Sequence, residues 1–176
     1  MLVATALLAT LAVVAAQDPC GPTSKPPVSS TTTAPPTSTT APPPTGGVAL
    51  HPNGQNGWCI DIAGANYANG TPVQLYQCNG TGAQKFAIQR GDGKFQVAGT
   101  NFCVDAGVNP GNGSKLHLWQ CYQGLPQQQW YWTNDNRIAL TGQGLCLDLP
   151  SGSLSNGNQL QVWQCATGNT NQVWSN

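Results

Sequence analysis

The chain has 176 residues and no net charge, with six Lys and Arg balanced by six Asp and no Glu at all. So sparse and neutral a charge set leaves no electrostatic footprint for nucleic acid or an anionic bilayer, and neither partner is expected. Gly, Asn, Gln, Thr and Trp are abundant, which suits short strands joined by tight turns and does not suit helices.

Residues 1–16 form an apolar run that ends Val14-Ala15-Ala16 before Gln17. Small residues at the last and third-last positions fit signal-peptide cleavage, and the run is too short to span a bilayer comfortably. A secreted, extracellular protein without membrane insertion is expected. Residues 17–46 are dominated by Pro, Ser and Thr, as in PPVSSTTTAPPTSTTAPPPT. Proline fixes the backbone and removes donors, and nothing in the segment could build a core, so an extended, disordered linker is expected. Ser and Thr among prolines in a secreted chain also suit O-glycosylation. Two readings stand for the linker: a spacer that holds a module away from a surface, or a passive connection.

The folded domain is expected over residues 47–176, a normal single-domain size. It consists of three copies of one pattern, at about 47–91, 92–135 and 136–176. Cys59-Ile60-Asp61, Cys103-Val104-Asp105 and Cys146-Leu147-Asp148 open the pattern. Leu75-Tyr76-Gln77-Cys78, Leu118-Trp119-Gln120-Cys121 and Val162-Trp163-Gln164-Cys165 form its middle. Gln84-Lys85-Phe86, Gln128-Gln129-Trp130 and Gln172-Val173-Trp174 close it, each 44 residues after the last. Four short strands are expected per copy. In the third they are residues 137–140, 145–149, 159–165 and 172–174, and the opening strands of the first two copies are residues 48–51 and 94–98. Asn69-Gly70, Asn112-Gly113 and Asn156-Gly157 mark a turn at the same place in each copy. Four strands per unit also suits a propeller blade, but three blades are fewer than the four to eight that close a propeller. Three copies should close instead as a threefold barrel. Ile60, Val104, Leu147, Leu75, Leu118 and Val162 would then supply its core.

Six of the seven cysteines belong to the repeat and Cys20 stands alone, either free or paired with another chain. Six cysteines allow fifteen connectivities, and the repeat favours one: Cys59 with Cys78, Cys103 with Cys121 and Cys146 with Cys165. The spacing is not that of a zinc site, and no metal or cofactor is expected. Each bridge closes a loop worth about 3 kcal/mol in the chain-entropy model and implies an oxidising compartment.

If the bridged cysteines face each other across an antiparallel ladder, Asp148 faces Trp163, Asp105 faces Trp119 and Asp61 faces Tyr76. Residues two apart on a strand share a face, so Gln161, His117 and Gln74 join the same side. A carboxylate accepts strong hydrogen bonds from hydroxyls, an amide both donates and accepts, and a flat ring covers the apolar face of a pyranose. The plainer readings are that each Asp forms a turn and each aromatic is core. Three such pairs in one register, on a chain this poor in charge, favour a site.

The repeat resembles the ricin B-chain type lectin domain, an all-β trefoil marked by the Cys-x-Asp opening, the aromatic before the second Cys, and Gln-x-Trp. The resemblance covers residues from about 47 to 176. It implies a sugar site made of the Asp, the strand Gln, the aromatic platform and the Asn-Gln before the closing aromatic, which itself belongs to the core. The third copy has the full set: Asp148, Gln161, Trp163, Asn171 and Gln172. The first has Asp61, Gln74, Tyr76 and Gln84, with Ala83 in place of the Asn, Phe86 in place of the Trp, and Asn79 as a possible substitute. The second has Asp105, Trp119 and Gln128, with His117 for the strand Gln and Gln127 for the Asn. His117 can equally be read as an ordinary polar surface residue. The resemblance implies galactose or N-acetylgalactosamine ends, or a xylan-like polysaccharide.

Glycoside hydrolysis usually needs two carboxyl groups flanking one bond, and one Asp per lobe does not provide that. With only His51 and His117, a Ser/His/Asp arrangement has little support, so a non-catalytic protein is expected. The competing class is a trefoil protease inhibitor or protein-interaction module, which has no use for three Asp/aromatic pairs. Sequons stand at Asn69-Gly70-Thr71, Asn79-Gly80-Thr81 and Asn112-Gly113-Ser114. They are either glycosylated, with glycans near the first and second sites, or accidents of Asn-Gly turns.

Overall fold

The computed structural model describes residues 42–176. The signal-peptide reading, most of the linker and Cys20 lie outside the described residues. Among the described residues all regular structure is strand, apart from single 3-10 turns, and no helix is long and apolar enough to cross a membrane.

Each lobe contains a central antiparallel hairpin. In lobe 1 it is β2 (Trp58–Ile62) with β3 (Val73–Gln77), and in lobe 2 β7 (Phe102–Asp105) with β8 (His117–Gln120). In lobe 3 it is β11 (Leu145–Asp148) with β13 (Gln161–Gln164). The closing segment of each lobe pairs with the opening strand of the next. Phe86 of β4 (Phe86–Ala87) faces Val97 of β6 (Gln96–Val97), and Trp130 of β9 (Gln129–Trp132) faces Leu140 of β10 (Ile138–Leu140). Trp174 of β14 (Trp174–Ser175) returns to Pro52 of β1 (His51–Pro52), so the ring closes. The extra strand β5 (Gly91–Lys94) pairs along β9.

The lobes also meet at a closed triangle of backbone hydrogen bonds. Val73 N donates to Leu116 O at 3.1 Å, Leu116 N to Leu160 O at 2.9 Å and Leu160 N to Val73 O at 2.9 Å. This triangle explains why the strand expected over residues 159–165 is split. β12 (Asn158–Gln159) pairs with β3 of lobe 1, the chain turns inward at Leu160, and β13 then pairs within its own lobe. The other expected strands are present but shorter or displaced: the first begins at His51, with Val48 reduced to a bridge on Phe86, and Gln172 lies in a 3-10 turn.

All six aliphatic residues expected in the core are fully buried, together with Phe86, Trp130 and Trp174. The indole Nε1 of Trp130 donates to Val104 O at 3.0 Å and that of Trp174 to Leu147 O at 3.1 Å, a bond that Phe86 cannot make. The three disulfides are the expected ones, with Cα separations of 5.0–5.1 Å.

The ladder register differs from the expectation by two residues. Cys146 faces Trp163 and Asp148 faces Gln161; Asp105 faces His117, and Asp61 faces Gln74. Each bridge runs diagonally because the second cysteine pairs beyond the first: Cys165 N donates to Gly144 O, and Cys78 N to Gly57 O. A disulfide constrains the separation of two residues and leaves the ladder register open. A shift of two preserves the face, so the shared side survives while the amide, in place of the ring, becomes the residue opposite each carboxylate.

Candidate functional site

Asp105 and Asp148 end their strands and Asp61 stands one residue before the end of its own, where the backbone turns through a left-handed residue such as Gly64 (φ 63°) or Ser151 (φ 57°). That turn forms one wall of a surface hollow, and the aromatic strand forms the opposite wall. In lobe 3 the hollow measures about 280 Å³ and is lined by Asp148, Ser151, Gln161, Trp163, Asn169 and Asn171. The rings that flank the hollows stay open to solvent. Tyr76 is 37% exposed, Trp119 38% and Trp163 43%, whereas the Gln-x-aromatic rings are buried. That contrast separates the rings open to solvent from the rings of the core.

Each carboxylate is buried and held from both sides. In lobe 3 the Gln161 amide donates to Asp148 Oδ1 at 2.9 Å, and Gln172 donates to Oδ2 at 3.2 Å. In lobe 1 Gln74 donates to Asp61 Oδ1 at 2.9 Å and Gln84 to Oδ2 at 3.0 Å. A carboxylate has about four lone-pair sites, so two amide donors leave acceptor capacity facing the hollow. Lys115 from lobe 2 donates to Gln161 Oε1 at 3.2 Å, which points the NH₂ end of that amide at the carboxylate.

Lobe 2 is built differently. Gln128 donates to Asp105 Oδ2 at 2.8 Å, but Oδ1 accepts the backbone N–H of Gly107 at 2.7 Å, with His117 Nε2 further off at 3.5 Å. The His117 ring meets Trp119 edge-on, with centroids 5.9 Å apart. Val108, Leu125 and Gln127 line this hollow alongside them, so it is more apolar than the other two.

The closing glutamines occupy a different place from the other candidates. Gln84, Gln128 and Gln172 have no exposed surface. Besides the carboxylate, Gln172 Nε2 donates to Gln164 O at 3.0 Å and its Oε1 accepts from Ala166 N at 2.9 Å. Gln84 and Gln128 repeat the arrangement on Gln77 O with Asn79 N, and on Gln120 O with Tyr122 N. They lie behind the aspartates, where they orient the carboxylate. Asn171 and Gln127 line the third and second hollows, and Asn79 lines the first beside Ala83.

Sequence reasoning missed Thr81, Leu125 and Asn169, which line hollows one, two and three in turn. Asn169 is the most informative, since it caps the 3-10 turn before Gln172 and its amide reaches Asp148 Oδ2 at 3.5 Å. The signal was present: these positions recur at the same 44-residue period, three before each closing glutamine. They differ in chemistry, and so no shared residue type drew attention to them.

One grouping of metal-ligating types occurs among the described residues: His51 with Cys59 and Cys78. Both sulfurs are in a disulfide and neither is a thiolate. His51 Nδ1 donates to Trp58 O at 2.8 Å. The cluster is structural.

The sequence pattern of the ricin-type beta-trefoil lectin domain matches residues 47–174. No curated protein sequence matches the chain closely enough to count as a relative. Among solved structures, the designed threefold-symmetric protein ThreeFoil superposes with a TM-score of 0.62 at 21% identity, covering 72% of this chain and 94% of that one. The C-half of the earthworm R-type lectin, solved with GalNAc, gives 0.58 at 19% identity, with 72% and 94% covered. The ricin B-like lectin of Macrolepiota procera, solved with lactose, gives 0.60 at 17% identity, with 75% and 94% covered. These likenesses carry the fold. With the family pattern spanning all three lobes, the chain belongs to the ricin-type β-trefoil lectin domain family.

Proposed function

We propose that this is a secreted, non-catalytic carbohydrate-binding protein with up to three sites, of which the third lobe holds the principal one. A single observation carries the reading: a solvent-exposed aromatic ring shares a strand face with a buried carboxylate held by the closing glutamine's amide, and this recurs in each lobe. A pyranose stacked on Trp163 would direct two hydroxyls at the free lone pairs of Asp148, with Gln161, Asn169 and Asn171 at the rim. Asp61, Gln74, Tyr76, Asn79 and Thr81 would act likewise in lobe 1, and Asp105, His117, Trp119 and Gln127 in lobe 2.

Galactose-type ends are the favoured ligands, supported by the GalNAc and lactose in the two lectin structures above; a xylan-like polysaccharide is the second candidate class. Three disulfides within one small domain support the extracellular setting. Shallow single sites should bind on the order of millimolar, with avidity supplied by several sites on one polyvalent glycan. The test is a glycan array followed by titration with lactose and with xylan oligomers. Loss of most binding in Asp148→Ala and Trp163→Ala supports the third lobe as principal site. Silence of the unglycosylated protein across the array at millimolar sugar would overturn the carbohydrate reading.

A further inference from the structure

Two of the three sequons, at Asn69 and Asn112, acquire a common geometry in the fold. The Asn-Gly turn of each lobe lies against the aromatic strand of the next lobe. Asn69 Oδ1 accepts Gln120 N at 2.7 Å, Asn112 Oδ1 accepts Gln164 N at 2.6 Å, and Asn156 Oδ1 accepts Gln77 N at 2.8 Å. Gln120 and Gln164 directly follow the platform rings Trp119 and Trp163. A Cβ placed on Gly113 would come within 3.7 Å of Trp163 Cζ3, so the Asn112 turn touches the third platform itself. The Asn69 turn makes the same bond to the residue after the second platform, although a Cβ placed on Gly70 would meet nothing within 4 Å. The turn beside the first platform, Asn156-Gly157-Asn158, is no sequon, but Asn79-Gly80-Thr81 is, and Asn79 lines the first hollow. Each hollow is flanked by one sequon.

We propose that N-glycosylation at Asn79, Asn69 and Asn112 masks the first, second and third sites respectively, and so sets how many are open. This rests on the reading of the chain as a secreted sugar binder. The Asn Nδ2 would attack the anomeric carbon of an oligosaccharide carried on a lipid diphosphate. The C–N bond forms as the anomeric C–O bond breaks, the lipid diphosphate leaves, and the amide nitrogen loses one proton. All three asparagines are exposed. In Asn69 and Asn112 the turn uses only Oδ1, so Nδ2 can carry a glycan while the contact to the next lobe remains. In Asn79, Oδ1 accepts Thr81 N and Thr81 Oγ1, again leaving Nδ2. Because Oδ1 is pinned, the amide plane is fixed, and a bulky glycan on Asn69 or Asn112 starts at the residue next to the ring it covers, while one on Asn79 starts three residues after Tyr76.

The test isolates the third site with Tyr76→Ala and Trp119→Ala, two exposed rings whose loss spares the fold. That chain is made in a glycosylating eukaryotic host and in a bacterial periplasm, and occupancy of Asn112 is read by glycopeptide mass. Binding to a lactose-bearing surface is then measured. The proposal expects Asn112 to be occupied in the eukaryotic product and its binding to be about tenfold or more weaker than the periplasmic one. Ser114→Ala, which removes the sequon but keeps Asn112 and its contact to Gln164, should restore binding in the eukaryotic product. An unoccupied Asn112, or an occupied one with unchanged binding, overturns the masking proposal. If the periplasmic parent, with all three rings intact, binds no sugar, the carbohydrate reading itself fails.

Discussion

Replacing Gln172 with Ala tests whether the closing glutamine orients the carboxylate or touches sugar. Its side chain is fully buried and makes three hydrogen bonds: to Asp148 Oδ2 at 3.2 Å, to Gln164 O at 3.0 Å, and from Ala166 N at 2.9 Å. A buried partner left unpaired costs about 1–3 kcal/mol, the charged Asp148 most and the part-buried Gln164 O and Ala166 N least, so the variant should lose roughly 3–5 kcal/mol. For a domain of this size each kcal/mol moves Tm by about 4 °C, giving a fall of about 12–20 °C. Thermal unfolding with the disulfides intact reads this directly. Gln172→Glu sharpens the test by placing a second carboxyl against Asp148. Two adjacent buried carboxyls share a proton, so the pair's folded pKa lies above its unfolded value. The glutamate variant should therefore be most stable in acid and lose stability as pH rises through that raised value, opposite to the usual carboxylate trend. A Gln172→Ala protein with a Tm within about 2 °C of the parent, yet without sugar binding, would refute the argument and place the amide in direct contact with ligand.

Trp163→Ala should lower Tm by no more than about 4 °C, because the ring stands partly open to solvent. It should weaken sugar affinity about tenfold through loss of stacking, read by titration on the folded variant. Leu116→Ala removes a buried side chain where the three lobes meet, and the urea midpoint should fall by the equivalent of about 2–5 kcal/mol with an unchanged m value. Asn156→Ala deletes the contact from lobe 3 to lobe 1 and should cost about 1 kcal/mol, with amide exchange at Gln77 speeding up more than at Gln120 or Gln164.

Much of the fold was legible because the repeat places identical demands on three segments. The aliphatic residue between each Cys and Asp had to be core, and Ile60, Val104 and Leu147 are all fully buried. The bridge pairing followed from the same logic. The shared face of the candidate site was legible but its arrangement was not. Asp148, Gln161 and Trp163 share one face, yet the amide and not the ring stands opposite the carboxylate. Alternation with period two determines the face, and a slip of two residues leaves it unchanged. Likewise Gln172 and Asn171 are neighbours in sequence, but one faces the core and the other lines the hollow.

By itself, the sequence determined the threefold repeat, the disulfide pairs, the residues of the core and the side of each hairpin that carries polar chemistry. These follow from periodicity and composition, which are local. Only the tertiary structure decided what one lobe gives to the next: Lys115 orienting Gln161, the turn at Asn112 lying beside Trp163, and the triangle of Val73, Leu116 and Leu160. Those contacts join residues more than 40 positions apart, and their geometry exists only once three lobes close around a common axis. The family resemblance already divided the exposed rings from the core rings, and the closed barrel supplies the reason, because it leaves only Tyr76, Trp119 and Trp163 of these a face to water.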